Sequence, residues 1–99
     1  MFISKTLENG KLTLALEGRL DTAASQQFQD ALFPALDEAG QVELDFSKLD
    51  YVSSAGLRVL LLGQKSALEK GASMALVGVS DEIMEVLEMT RFTDILTIL

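Results

Sequence analysis

Two adjacent serines, Ser53 and Ser54, end an apolar strand and begin a leucine-rich helix in Leu49-Asp-Tyr-Val-Ser-Ser-Ala-Gly-Leu-Arg-Val-Leu-Leu61. The first turn of a helix exposes unpaired N–H groups and the positive end of the helix dipole. A hydroxyl there has two uses: it can cap the helix, worth about 1 kcal/mol, or carry a phosphate whose charge the helix end tolerates. Spacing alone leaves both uses open for Ser54, and Ser53 reads first as a cap or turn residue. Asp21, in Gly18-Arg-Leu-Asp-Thr22, stands where another strand gives way to a helix and can cap it. Glu82, Glu85 and Glu88 lie close to one side of a short helix, and with no further ligand in view a solvated face accounts for them better than a metal site does.

The chain contains neither histidine nor cysteine. Imidazole bases, thiol nucleophiles and the usual zinc and iron–sulfur ligands are therefore excluded, and no glycine-rich phosphate loop is present. A non-enzymatic protein without a cofactor is expected. Fifteen acidic residues against eight basic ones give a formal charge of −7, spread along the chain, which disfavours nucleic acid and anionic membrane and favours a protein partner. No window reaches the roughly 20 apolar residues of a membrane span, so a cytoplasmic protein without membrane insertion is expected. Ninety-nine residues, 48% of them hydrophobic, suit one domain over 1–99 with a core of ordinary size.

The elements that must position the serines follow from periodicity. Asn9-Gly10 between Phe2–Glu8 and Lys11–Gly18 predicts an antiparallel hairpin, and Leu12, Leu14 and Leu16 alternate as in a half-buried strand. Phe28, Leu32, Ala35, Leu36 and Ala39 make the apolar stripe of a first helix, kinked at Pro34 and stopped at Gly40. Val42, Leu44 and Phe46 alternate with Glu43 and Asp45 in a third strand with one wet face. In the helix after Ser54, Leu57, Leu60, Leu61, Ala67 and Leu68 read as core, and Val59 and Leu62 as a surface beside Ser54; Gly71 ends the helix. A fourth strand over 74–79, a helix from Ser80 through Met89 and a last strand over 95–99 complete the order, with Met74, Met84 and Met89 read as core filler. Right-handed β-α-β crossovers then put all helices on one face of a mostly parallel sheet, a two-layer α/β domain.

Gly18-Arg-Leu-Asp21 and Asp45-Phe-Ser-Lys-Leu-Asp-Tyr-Val-Ser-Ser-Ala-Gly-Leu57, in that order, resemble the motifs of the STAS domain, the family of anti-sigma factor antagonists. The resemblance runs from about Phe2 to Leu99. It implies a regulatory module that binds an anti-sigma factor serine kinase, is switched off by phosphorylation at Ser54 and is reset by a phosphoserine phosphatase. Asp21, Ser53 and Gly56 would neighbour the phosphate, and Arg58, Val59 and Leu62 would meet the partner. The family's usual loop aspartate falls at Ser53, a departure that removes a charge beside the acceptor and makes Ser53 the second candidate for phosphate. Family members often continue into a helix after the last strand, so an exposed strand patch, and with it a weak homodimer, is a further expectation. The alternative is a STAS scaffold subunit of a transporter or signalling complex that is never phosphorylated.

Overall fold

Asn9 and Gly10 both take positive φ, 51° and 81°, and turn the chain between β1 (Phe2–Glu8) and β2 (Lys11–Leu20), which pair antiparallel from Phe2 against Glu17 to Glu8 against Lys11. A computed structural model describes all residues, Met1–Leu99. After the hairpin come α1 (Thr22–Glu38), β3 (Gln41–Val52), α2 (Ser54–Lys70), β4 (Ser73–Val77), α3 (Asp81–Met89), one 3-10 turn (Phe92–Asp94) and β5 (Thr97–Ile98). The sheet order is β1-β2-β3-β4-β5, parallel from β2 onwards. Each strand thus pairs with the one before it, and the three helices lie on one side. This is the two-layer α/β arrangement that the alternation of elements predicts.

Parallel register builds the core in rows. Leu14, Leu44, Leu76 and Ile98 align across four strands, and Leu12, Val42 and Met74 align beside them. These face the helices and join Phe28, Leu32, Leu36, Leu60 and Leu87 in one cluster of buried side chains, with Ile98 half-buried against it. The opposite face carries Thr13, Glu43, Ala75 and Thr97 in register, so the acids of β3 sit on the uncovered side as expected. Between β2 and β3 the register shifts at Ala15/Glu17 and Gly18/Arg19. Beyond the first shift the buried residues of β3 fall three apart, Phe46, Leu49 and Val52, because an irregular ladder breaks the strict two-residue alternation.

Several expectations need correction. Helix α1 continues through Pro34 as expected, but it ends with Ala39 as its extended C-terminal cap, and Gly40 does not take a left-handed conformation there. Gly71 does, at φ 69°, and its N–H reaches the carbonyls of Ala67 and Leu68. The last strand is only Thr97–Ile98, because a 3-10 turn occupies Phe92–Asp94 just before it. Met89 is 76% exposed rather than core: it is the last residue of the short α3, whose buried side is carried by Ile83 and Leu87.

Helix α2 departs from the expected burial most consequentially. Its buried residues are Gly56, Leu57, Val59, Leu60, Gly63, Gln64 and Ala67, while Leu61 and Leu62 are half-buried and Leu68 is 70% exposed. The helix packs on the sheet and against α1 at once. A Cβ on Gly63 would stand 2.6 Å from Leu32 Cδ2 of α1, and Val59 lies one turn earlier on that flank. The second neighbour turns the buried arc by roughly 60° at 100° per residue, taking in Val59 and releasing Leu68. The ion pair between Lys70 and Asp37 ties the far ends of the two helices together.

Candidate functional site

Strands β2 and β3 end side by side, with Leu20 opposite Val52, and each is followed at once by a helix. The Ser53 N–H donates to the Leu20 carbonyl at 2.8 Å, locking the two junctions together. Both helix N-termini consequently open at the same end of the sheet. Asp21 and Ser53 hold equivalent places, each with extended backbone and each capping its helix. Asp21 Oδ1 accepts from the Ala24 N–H at 2.8 Å, and Ser53 Oγ accepts from the Gly56 N–H at 3.1 Å.

This geometry separates the two serines. Ser53 is buried, 7% exposed, with its hydroxyl engaged in the cap and its carbonyl accepting from the Leu57 N–H at 2.9 Å. Ser54 is the first residue of α2, exposed, and takes no part in the cap. An exposed hydroxyl at the positive end of a helix is free to be modified without dismantling the turn that presents it. Ser53→Ala removes the cap and is expected to lower unfolding free energy by about 1 kcal/mol, read as a lower midpoint in urea with an unchanged slope.

The predicted site residues divide. Asp21, Ser53, Ser54 and Gly56 come together at the paired junctions, and Arg58 lies exposed one turn along α2. Leu62 is half-buried on a flank of the helix, so it can contribute only part of its side chain to a partner. Val59 does not belong with them. At 4% exposure it is part of the core, because α1 packs over that side of α2. Leu61 and Leu68, read from periodicity as core, are the apolar side chains on the other flank of the outward surface.

Two residues of α2 have roles that the sequence reading did not give them. Gly56 sits where a Cβ would be 2.7 Å from Leu20 Cγ, so its absent side chain lets the first turn of α2 lie against the end of β2. A glycine inside the first turn of a helix costs about 1 kcal/mol against alanine, and that cost is the signal of a packing reason. Gln64 is a buried polar side chain whose Oε1 has no hydrogen-bond partner. Its polarity masked its place on the buried arc. A separate cleft of about 260 Å³, lined by residues that include Phe2, Ala15, Glu17, Asp45 and Lys48, involves neither Ser53 nor Ser54.

Comparison with known proteins agrees with the fold. The family model described as "Mlab, STAS domain" matches residues 3–98. BtrV of Bordetella bronchiseptica, named as a candidate anti-sigma factor antagonist, is 34% identical over 88 residues, covering 88% of this chain and 76% of the relative. Among solved structures, that of a candidate anti-sigma factor antagonist from Thermotoga maritima superposes with a TM-score of 0.89 at 21% identity, covering 97% of this chain and 84% of the other. The Bacillus cell fate determinant SpoIIAA in its phosphorylated form gives 0.77 at 15% identity, covering 99% and 91%. At such identities the structures speak for the fold, while the family model and BtrV speak for descent: the chain belongs to the STAS domain family.

Proposed function

We propose that this chain is an anti-sigma factor antagonist: a non-enzymatic module of the cytoplasm that docks on an anti-sigma factor serine kinase and is released by phosphorylation of Ser54. One observation carries the reading. Ser53 takes over the cap, leaving Ser54 exposed and unoccupied at the first position of α2. Serine at 53 in place of the family's aspartate keeps the cap while omitting the charge, since both side chains accept from the same N–H groups. The name of BtrV points the same way. No helix is long and apolar enough to cross a membrane.

The chain supplies only the acceptor. The kinase transfers the γ-phosphoryl of ATP to Ser54 Oγ: the bond from the γ-phosphorus to the β–γ bridging oxygen breaks, a new P–O bond forms, the hydroxyl proton passes to a base of the kinase and ADP leaves. A phosphoserine phosphatase restores the hydroxyl by hydrolysis. The modification adds about −1.5 to −2 charge and three acceptor oxygens. The helix N-terminus tolerates that charge, but an interface fitted to a neutral hydroxyl must desolvate it, and each ~1.4 kcal/mol lost weakens binding tenfold. Incubation with the serine-kinase anti-sigma factors of the same organism and ATP is expected to add one phosphate by intact mass to the wild type and none to Ser54→Ala. Equal modification of both proteins would move the acceptor away from Ser54, and modification of neither would count against the switch and in favour of an unphosphorylated scaffold.

A further inference from the structure

Arg58 is exposed and outside every ion pair of the chain, which joins Lys5 to Glu38, Lys11 to Glu43, Lys70 to Asp37 and Arg91 to Asp94. Arg19 is held over the Tyr51 ring, 4.2 Å from its centroid. In a chain of charge −7 a free guanidinium beside the functional loop asks for a counter-charge. Arg58 follows Ser54 by four residues on the same helix, both facing outward. Residues four apart face each other with Cβ atoms about 5–6 Å apart, and a long helical side chain leans over the turn on its N-terminal side. That turn carries Ser54.

We propose that Arg58 is the intramolecular counter-ion of phosphorylated Ser54, pairing with the phosphate across one turn of α2. The inference rests on the reading of Ser54 as the acceptor. An acid four residues before a base is the favourable order on a helix, and the guanidinium matches phosphate bidentately. Phosphorylation then does two things at once. It adds a dianion at the first turn and withdraws the cation that the same surface offers to a partner. The local charge passes from +1 to about −1, so the released state is held by a bond within the chain as well as by repulsion. The other acid at the junction, Asp21, is committed to the Ala24 N–H.

The test separates this pairing from the question of which kinase acts, because the phosphate is installed during synthesis. Full-length protein with phosphoserine encoded at position 54 is titrated by 31P NMR alongside the same protein carrying Arg58→Gln or Lys65→Gln. Asp21, Arg19 and Tyr51 are present in all three, so their influence cancels in the comparison. The phosphate's second pKa is expected to be higher in Arg58→Gln than in the parent by about 0.3 units or more, with the difference shrinking in 0.5 M salt. Lys65→Gln, the same loss of charge two turns further on, is expected to leave it unchanged. Equal values in all three proteins, or an equal rise in both variants, would overturn the pairing. Unphosphorylated Arg58→Gln is expected to melt like the parent, which excludes misfolding as the source of a shift. If Ser54 proves never to be phosphorylated while the NMR difference is found, the pairing stands and the switch falls.

Discussion

Val59→Asp is expected to leave the domain largely unfolded at 25 °C, whereas Leu62→Asp, three residues further along the same helix, is expected to melt close to the parent. Val59 is 4% exposed and part of the hydrophobic core. An unpaired carboxylate at that place must either stay charged in an apolar surround or take up a proton, and both cost several kcal/mol. A domain of this kind has only about 5–15 kcal/mol in total. Leu62 is half-buried, so an aspartate there can keep its carboxylate in water. Leu62→Asp should instead weaken association with the proposed anti-sigma kinase partner, through a charge and a lost apolar contact on the flank of the proposed docking surface. Circular dichroism melts in urea decide the first half of this expectation and titration calorimetry with the kinase the second. Similar stability losses in the two variants would show that the buried arc of α2 is wrongly drawn.

The second large effect is expected at Gly56. A Cβ there would meet Leu20 Cγ at 2.7 Å, Leu20 Cδ2 at 2.9 Å and Val52 Cγ2 at 3.1 Å. Leu20 is fully buried and Val52 nearly so, and neither can move without disturbing the strand ends that the Ser53-to-Leu20 hydrogen bond joins. Alanine recovers about 1 kcal/mol of helix propensity and sets it against an overpacking cost of about 1–3 kcal/mol. Valine adds two methyls to the same gap without that gain, so Gly56→Val is expected to lose about 2–4 kcal/mol. Because the strain falls on the first turn of α2, it should also move Ser54. Phosphorylation by the kinase should therefore slow in the fraction that remains folded, read as a lower initial rate under conditions where circular dichroism shows native helix. A variant as stable as the parent would mean that the approach of α2 to β2 is looser than these distances.

Much of the junction was legible because its signals are local. Asn9-Gly10 needs two positive φ angles and takes them, and Ser80 caps α3 on the Ile83 N–H where a serine before an apolar helix should. Asp21 caps α1 for the same reason. The family motif singled out Ser54. The reading of Ser53 as the cap holds for a backbone reason: the two serines are chemically alike, and Ser53 has the extended φ and ψ from which a side chain reaches the third N–H of the helix. The burial of α2 was less legible. Val59, Leu61, Leu62 and Leu68 are all apolar, and periodicity ranks them by spacing along one helix. Which of them is covered depends on a second helix pressing from the side, through Leu32 at Gly63.

Local chemistry in the sequence was thus sufficient for the order of elements, the hairpin turn, the N-terminal caps and the alternation of leucine within β2, because turns, caps and alternation are decided within a few residues. The tertiary structure decided what surrounds Ser54. It placed Asp21 and Ser53 side by side through Leu20, moved Val59 into the core, and left Ser54 and Arg58 together on the open side of α2. Those facts depend on how two strand ends and two helices meet across more than thirty positions of chain. Burial is a property of what lies opposite a side chain, and the spacing of residues along one helix does not contain it.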